Sequence, residues 1–187
     1  MLRMSTRAAS GTRSILTALL LLLAAISAVA QTSPASPPAP EPQLQTADGV
    51  VRELYRLVTI AVGDSTDWEQ VRNLFIPEAV IVLRVSKDAS STFSLQGWID
   101  DFVAWDAKAR VSERGFEERI TRLEPMVFRD IAHVLVCYEA RVLDSPKPPT
   151  VGVDSIELIR KDGRWWIAAI TNDLPNAEHP LPPQLQE

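Results

Sequence analysis

The 187-residue sequence is poor in the residues that build disulfides and metal sites. It contains one cysteine, Cys137, and two histidines, His133 and His179. A single cysteine excludes an intramolecular disulfide, and the apolar surroundings of Cys137 predict a buried thiol. These three residues do not give the ligand spacing of a zinc site. Phosphate-binding loops, nucleophile elbows and dinucleotide fingerprints are absent as well. The sequence therefore predicts neither a metal site nor a cofactor.

Acidic residues are missing from the first 30 positions. Three arginines there precede an almost wholly apolar run over residues 15–30, which ends in the small-x-small sequence Ala28-Val29-Ala30. We expect residues 1–30 to be a signal peptide that is cleaved before Gln31, and the protein to be exported to a bacterial periplasm or secreted. An uncleaved anchor is the alternative, although 16 apolar residues fall short of the ~20 that span a bilayer.

Basic residues are scarce in the rest of the chain. Without residues 1–30, 16 Lys and Arg face 24 Asp and Glu, which gives a net charge near −8. This balance argues against nucleic acid or, after signal cleavage, a membrane surface as a partner, because both select for basic patches.

Proline-rich segments flank one domain. Residues 31–42 hold five prolines in twelve positions, so residues 31–45 are expected to be a disordered, extended tether. Residues 175–187 form a second proline-rich segment, a C-terminal tail that cannot be a central strand. Residues 46–174 remain as one domain of ordinary size.

Hydrophobic periodicity divides this domain into a helical first part and a β-rich second part. Helices are predicted over 48–62, over 66–75 after a Thr66–Glu69 capping box, and from Gly97 onward. Strands are predicted over 79–85, 93–96, 115–128, 131–143, 151–160 and 164–172, the last two joined by an Asp-Gly hairpin turn. The order predicts an α+β fold, a cone-shaped domain with three N-terminal helices packed on a curved antiparallel sheet.

Three motifs resemble the nuclear transport factor 2-like superfamily over about residues 47–174. They are Leu74-Phe75-x-x-Glu78-Ala79, Gly97-x-Ile99-x-x-Phe102 and Asp162-Gly-Arg-Trp-Trp-Ile167, the last similar to an uncharacterised exported bacterial subgroup. Superfamily members include ketosteroid isomerases, polyketide cyclases, dehydratases and binding-only domains. The resemblance implies a pocket between sheet and helices, and a homodimer formed through the exposed sheet face.

The catalytic pattern of the ketosteroid isomerases transfers only in part. Counting from Glu78, their general base falls on Leu83, which cannot accept a proton. Their second acid falls near Asp154, and Tyr55 approximates their tyrosine donor, out of register. The resemblance alone therefore does not imply an isomerase.

Asp154 and His133 are the candidate catalytic residues. Asp154 interrupts an apolar strand; in a dry pocket its pKa would be raised and it could act as acid or base, whereas solvent exposure or an arginine partner is the alternative. His133 is expected on the mixed face of its strand, opposite a face of core residues, where it is either a base or an interfacial residue. The candidate ligand-binding residues are Tyr55, Trp98, Trp166 and Asp154.

Three functions remain open at this stage. The leading hypothesis is an exported, non-catalytic domain that binds a small apolar or mixed-polarity molecule, because the first-strand base is missing. The second is an acid–base lyase or isomerase for a small carbonyl or hydroxyl compound, with Asp154 and His133 in one cavity. The third is a protein-interaction module held at the cell envelope by its tether.

Overall fold

A six-stranded sheet with helices on one face forms the domain. The computed structural model describes residues 41–86 and 88–186. The helices are α1 (Ala47–Val58), α2 (Trp68–Arg72), α3 (Leu95–Ala109) and α4 (Val111–Arg114); the strands are β1 (Phe75–Ser86), β2 (Ala89–Ser94), β3 (Phe116–Phe128), β4 (Ile131–Val142), β5 (Thr150–Lys161) and β6 (Arg164–Asp173). The predicted α+β class and curved sheet are confirmed.

The sheet is mixed rather than wholly antiparallel. Its strand order is β2-β1-β6-β5-β4-β3. The predicted meander from β3 to β6 is antiparallel throughout, and β1 is antiparallel to β2. However, β1 is parallel to β6, with Ile81 opposite Ile170. The expectation of an antiparallel sheet fails at this pair because β1 and β6 are distant in sequence, and no turn between them fixes their relative direction.

Both N-terminal helices are shorter than predicted. Helix α1 begins after Thr46, whose hydroxyl accepts the Gly49 N–H at 3.1 Å, and ends at Val58. The chain then leaves the helix because Ile60 forms two backbone hydrogen bonds with Phe116 at the start of β3, each 2.8 Å long. In α2 the cap is Asp67 and not Thr66, so the predicted capping box is wrong.

The core lies between the helices and the inner face of the sheet. Ile81, Ile156 and Ile167 are fully buried there, one from each of β1, β5 and β6. On β4, the predicted core face is confirmed, since Ala132, Val134, Val136 and Tyr138 are all buried. Burial of these apolar side chains fixes which face of each strand points inward, and hence which polar residues point inward with them.

Residues before position 46 and after position 174, the expected domain limits, also pack against the domain. Before α1, a 3-10 turn over Pro42–Gln45 buries Leu44 and contacts α1 and β6. After β6, a second 3-10 turn over Pro183–Leu185 buries Leu185 and contacts β3. Apolar burial thus draws the ends of both proline-rich segments onto the domain. The predicted signal peptide at 1–30 and the predicted tether as far as residue 40 lie outside the described residues. Among the helices of 41–86 and 88–186, none has the length and hydropathy to cross a membrane.

Candidate functional site

A cavity of about 150 Å³ lies between the helices and the inner face of the sheet. Every strand except β2 contributes to its wall, together with α1 and α3. The wall residues are Leu54, Tyr55, Val58, Ile81, Leu83, Arg84, Trp98, Glu118, Tyr138, Asp154, Ile170 and Asn172. Two carboxyl groups therefore face an otherwise largely apolar and aromatic space.

Asp154 faces this cavity through the register of β5. It lies opposite Val136 of β4 and Asn172 of β6, and Val136 is fully buried on the inner face. Tyr55 Oη donates a hydrogen bond to Asp154 Oδ2 at 2.7 Å, and Asn172 Nδ2 donates to Oδ1 at 2.8 Å. Burial raises the pKa of Asp154 to about 6, while these two hydrogen bonds act to lower it.

Glu118 is the second carboxyl group of the cavity. It pairs with Ala140 in the β3–β4 register, so its side chain shares the inner face with the neighbouring Tyr138. In the described part of the chain, no hydrogen bond or ion pair involves the Glu118 carboxyl group. Burial, followed by repulsion from Asp154, raises the pKa of Glu118 to about 8. At pH 7 Glu118 is therefore mostly protonated, whereas Asp154 is mostly ionised.

Glu118 was not among the predicted site residues, although its strand position carries a signal. Residues alternate between the two faces of a strand, so Glu118 shares a face with Phe116 and Ile120. Phe116 is buried and Ile120 packs against the core. Like Asp154, Glu118 is an acid within a strand whose inward-facing neighbours are apolar.

Two aromatic residues predicted to bind ligand do line the cavity. The Tyr55 and Tyr138 rings lie 5.7 Å apart, and Asn172 Nδ2 also donates to Tyr138 Oη at 2.9 Å. Trp98 is held from α3 by contacts with neighbouring aromatic rings, including Phe75 at 5.7 Å between centroids. The polar ends of Tyr55, Tyr138 and Asn172 thus form one connected network around Asp154.

The structure does not bring His133 to Asp154, which corrects the expectation that both enter one cavity. His133 lies opposite Glu157 in the β4–β5 register, on the outer face of the sheet. Its Nδ1 is 2.7 Å from Glu157 Oε1. Strand alternation requires this result, because Val134 and Val136 point inward. His133 is therefore not a catalytic partner of Asp154.

Trp166 is also removed from the cavity, contrary to prediction. It lies opposite Ile159 on the outer face, while the adjacent Trp165 is buried in the core. The indole N–H of Trp166 donates to the Lys161 carbonyl at 3.1 Å, and the Arg164 guanidinium lies 3.7 Å from its ring centroid. These contacts stabilise the β5–β6 hairpin and leave Trp166 without a role in the inner site.

Among the described residues of the cavity wall, Arg84 is the one cationic side chain. Its Nε and Nη2 atoms contact the two carboxylate oxygens of Asp173 at 3.1 and 2.9 Å. The pair also borders a larger, more open groove of about 480 Å³, lined by residues 84–86 and 173–178. Because Asp173 already neutralises the guanidinium, Arg84 compensates little of the charge inside the cavity.

Residues 41–86 and 88–186 contain no cluster of side chains that could bind a metal ion. No group of three or more His, Cys, Asp and Glu side chains there is arranged to hold a metal ion.

Comparison with solved structures identifies the fold. A nuclear transport factor 2-like protein with a cystatin-like fold from Novosphingobium aromaticivorans is 14% identical, with a TM-score of 0.55 over 70% of this chain and 81% of that chain. A nuclear transport factor 2-like protein of unknown function from Pseudomonas putida is 10% identical, with a TM-score of 0.54 over 75% of this chain and 93% of that chain. No protein-family model and no curated protein matches the sequence. The chain therefore has the nuclear transport factor 2-like fold, as its motifs indicated.

Proposed function

We propose that this domain binds a small molecule of mixed polarity in the inner cavity. The observation that carries the proposal is a partly open cavity of mixed apolar and polar lining into which Glu118 and Asp154 both point. A cavity of about 150 Å³ is large enough for a molecule the size of benzene. The ligand is thus expected to have on the order of six non-hydrogen atoms in the buried part, with the polar groups fixing its orientation.

Filling the cavity tests this proposal. Leu83 lines the cavity, whereas Val80 on the same strand is 44% exposed. Leu83→Phe is expected to abolish the binding of small-molecule fragments detected by NMR, because the added ring occupies the ligand's volume. Val80→Phe is the matched control and should leave binding unchanged. If fragments bind both variants and the wild type equally, the inner cavity is not the binding site.

A second candidate function is acid–base catalysis on a small carbonyl or hydroxyl compound, as in an isomerase or lyase. It is favoured by the separation between the pKa of Asp154, about 6, and that of Glu118, about 8. At neutral pH Asp154 would accept a proton from carbon while Glu118 donates one to the substrate oxygen. Glu118 thus replaces His133 as the proposed partner of Asp154, but as a proton donor and not as the base expected of His133.

Proton exchange measures this activity directly. The protein is expected to accelerate exchange of the α-protons of small ketones in deuterated water, with a rate maximum between pH about 6 and about 8. Both Glu118→Gln and Asp154→Asn should abolish the acceleration. Exchange no faster than buffer would leave binding alone as the proposed function.

Export remains part of the proposal on sequence grounds. The positive, apolar and small-residue segments of positions 1–30 support a cleaved signal peptide. Expression in a bacterial host followed by N-terminal sequencing should give Gln31 as the first residue. An intact N-terminus on membrane-bound protein would support the anchor instead.

A further inference from the structure

Three hydrogen-bond donors of the cavity wall are engaged by groups other than Glu118. Tyr55 and Asn172 both donate to Asp154, and Arg84 is engaged by Asp173. These bonds leave the Glu118 carboxyl group without a donor in the described part of the chain. The Glu118 carboxyl group lines the cavity, so a ligand with N–H groups would gain a contact that the protein does not provide for itself.

The charges of the cavity wall also favour a ligand that carries N–H groups, and specifically a cation. Asp154 accepts hydrogen bonds only from the neutral groups of Tyr55 and Asn172, so no cation compensates its buried negative charge. The single cation of the wall, Arg84, is 28% exposed and forms its ion pair with Asp173. An anionic ligand would be repelled by the Asp154 carboxylate, whereas a cation would offset its charge.

The aromatic residues of the cavity wall also favour a cation. Trp98, Tyr55 and Tyr138 all contribute to the wall, and the electron-rich faces of such rings attract cations in desolvated sites. Aliphatic side chains at Leu54 and Ile81 provide apolar surface for a short hydrocarbon group. Carboxylates, aromatic rings and a small apolar wall together have the composition of a site for an organic cation.

We propose that the ligand of the inner cavity is a small primary ammonium ion, whose N–H groups bind Glu118 and Asp154 and whose short hydrocarbon part packs on the aliphatic wall. This assignment rests on the proposed binding function and names its ligand class. Glu118 is protonated in the empty site. When the cation binds, its positive charge replaces that proton in neutralising the carboxylate. Binding near neutral pH therefore releases a proton from Glu118. The charged, polar and aromatic residues that line the cavity together with Glu118 are Tyr55, Trp98, Arg84, Tyr138, Asp154 and Asn172.

A pair of probes of matched shape tests the assignment. Isobutylammonium and isobutanol, each titrated calorimetrically into the full-length protein at pH 7, differ in charge but hardly in size. The ammonium ion is expected to bind at least about tenfold more tightly than the alcohol. Repeating the titration in buffers of different ionisation heat should show release of most of one proton per ammonium ion bound.

Variants identify the carboxyl group responsible. Glu118→Gln should remove the proton release and reduce the ammonium ion to the affinity of the alcohol. Glu117→Gln is the matched control, since Glu117 contacts Arg141 on the outer face and should not alter binding. Equal binding of the two probes to the wild type would overturn the ammonium assignment while leaving the cavity as a binding site. Binding of neither probe would count against both the ammonium assignment and the proposed function.

Discussion

Glu118 retains its proton because its carboxyl group is buried beside Asp154. The resulting pKa of about 8 lies above the ordinary 4.5, so the folded state binds more protons than the unfolded state between these values. The free energy of unfolding should therefore fall as pH rises from about 4.5 to about 8. Glu118→Gln should flatten this fall by on the order of 2 kcal/mol, measured by urea unfolding at pH 5 and pH 8. Glu117→Gln should keep the wild-type slope; an unchanged slope in Glu118→Gln would contradict the burial argument.

Tyr55 lowers the pKa of Asp154, whereas burial raises it. Its hydroxyl stabilises the charged carboxylate across 2.7 Å, so Tyr55→Phe should raise the pKa of Asp154 above about 6. The loss of this hydrogen bond should also destabilise the fold by about 1 kcal/mol. Carboxyl-carbon NMR titration of Asp154 measures the first effect. Tyr138→Phe is the control, because Tyr138 contacts Asn172 and forms no hydrogen bond with Asp154. Similar titration midpoints in both variants would exclude a specific effect of Tyr55.

Individual site residues could be predicted from the sequence more accurately than which of them lie close together in the fold. Asp154 was found as an acid within an apolar strand, and the same alternation rule contains the signal for Glu118. The pairing of Asp154 with His133 failed because the two residues lie on different strands. Their relative facing depends on the β4–β5 register, and the long link between those strands leaves it unfixed by local turn geometry.

Strand elements in this fold are positioned by contacts across the sheet as much as by turns. Gly152 of β5 lies directly opposite Tyr138 of β4. A Cβ atom at Gly152 would come within 2.3 Å of Tyr138 Cζ, so the tyrosine ring lies over the glycine backbone. The glycine is therefore required for Tyr138 to reach the cavity wall and to contact Asn172.

Gly152→Ala tests this close approach. The substitution is expected to destabilise the protein by about 1–3 kcal/mol, since the buried tyrosine must move. Gly97→Ala is a suitable control, because the nearest atom to its new Cβ is 3.4 Å away, and within α3 alanine should be neutral or stabilising by about 1 kcal/mol. Thermal unfolding of both variants gives the comparison. Equal melting temperatures for Gly152→Ala and the wild type would show that Tyr138 is free to shift.

The elements themselves illustrate which parts of a fold are encoded locally. The meander from β3 to β6 was predicted because two of its three connections, Arg129-Asp130 and Asp162-Gly163, are short turns. The parallel contact of β1 with β6 could not be predicted from the local pattern, since it joins residues about 90 positions apart. Helix α1 ended early for a similar reason: a distant backbone partner, Phe116, competes for Ile60.

At the scale of the whole molecule, the outer face of the sheet divides into a covered part and a bare part. Cys137 is on this face by alternation yet only 2% exposed, and the C-terminal turn that buries Leu185 packs against the neighbouring β3. Toward the β3–β4 hairpin, Phe128, Ile131 and Ile159 are 70%, 58% and 38% exposed. We therefore expect a partner on this face to bind at the hairpin end.

Self-association should therefore depend on the hairpin end of the outer face. Met126 and Phe128 are 71% and 70% exposed on that face, beside Ile131, and an apolar cluster of this kind typically marks an interface. We expect a homodimer whose dissociation constant rises at least about tenfold in Met126→Ser/Phe128→Ser, as sedimentation velocity can measure. Val62→Ser, at an apolar residue 65% exposed elsewhere, should have no effect. A wild-type protein that stays monomeric at high concentration would exclude the homodimer. The bare hairpin surface would then require a different protein as its partner, which is the role expected of an envelope interaction module.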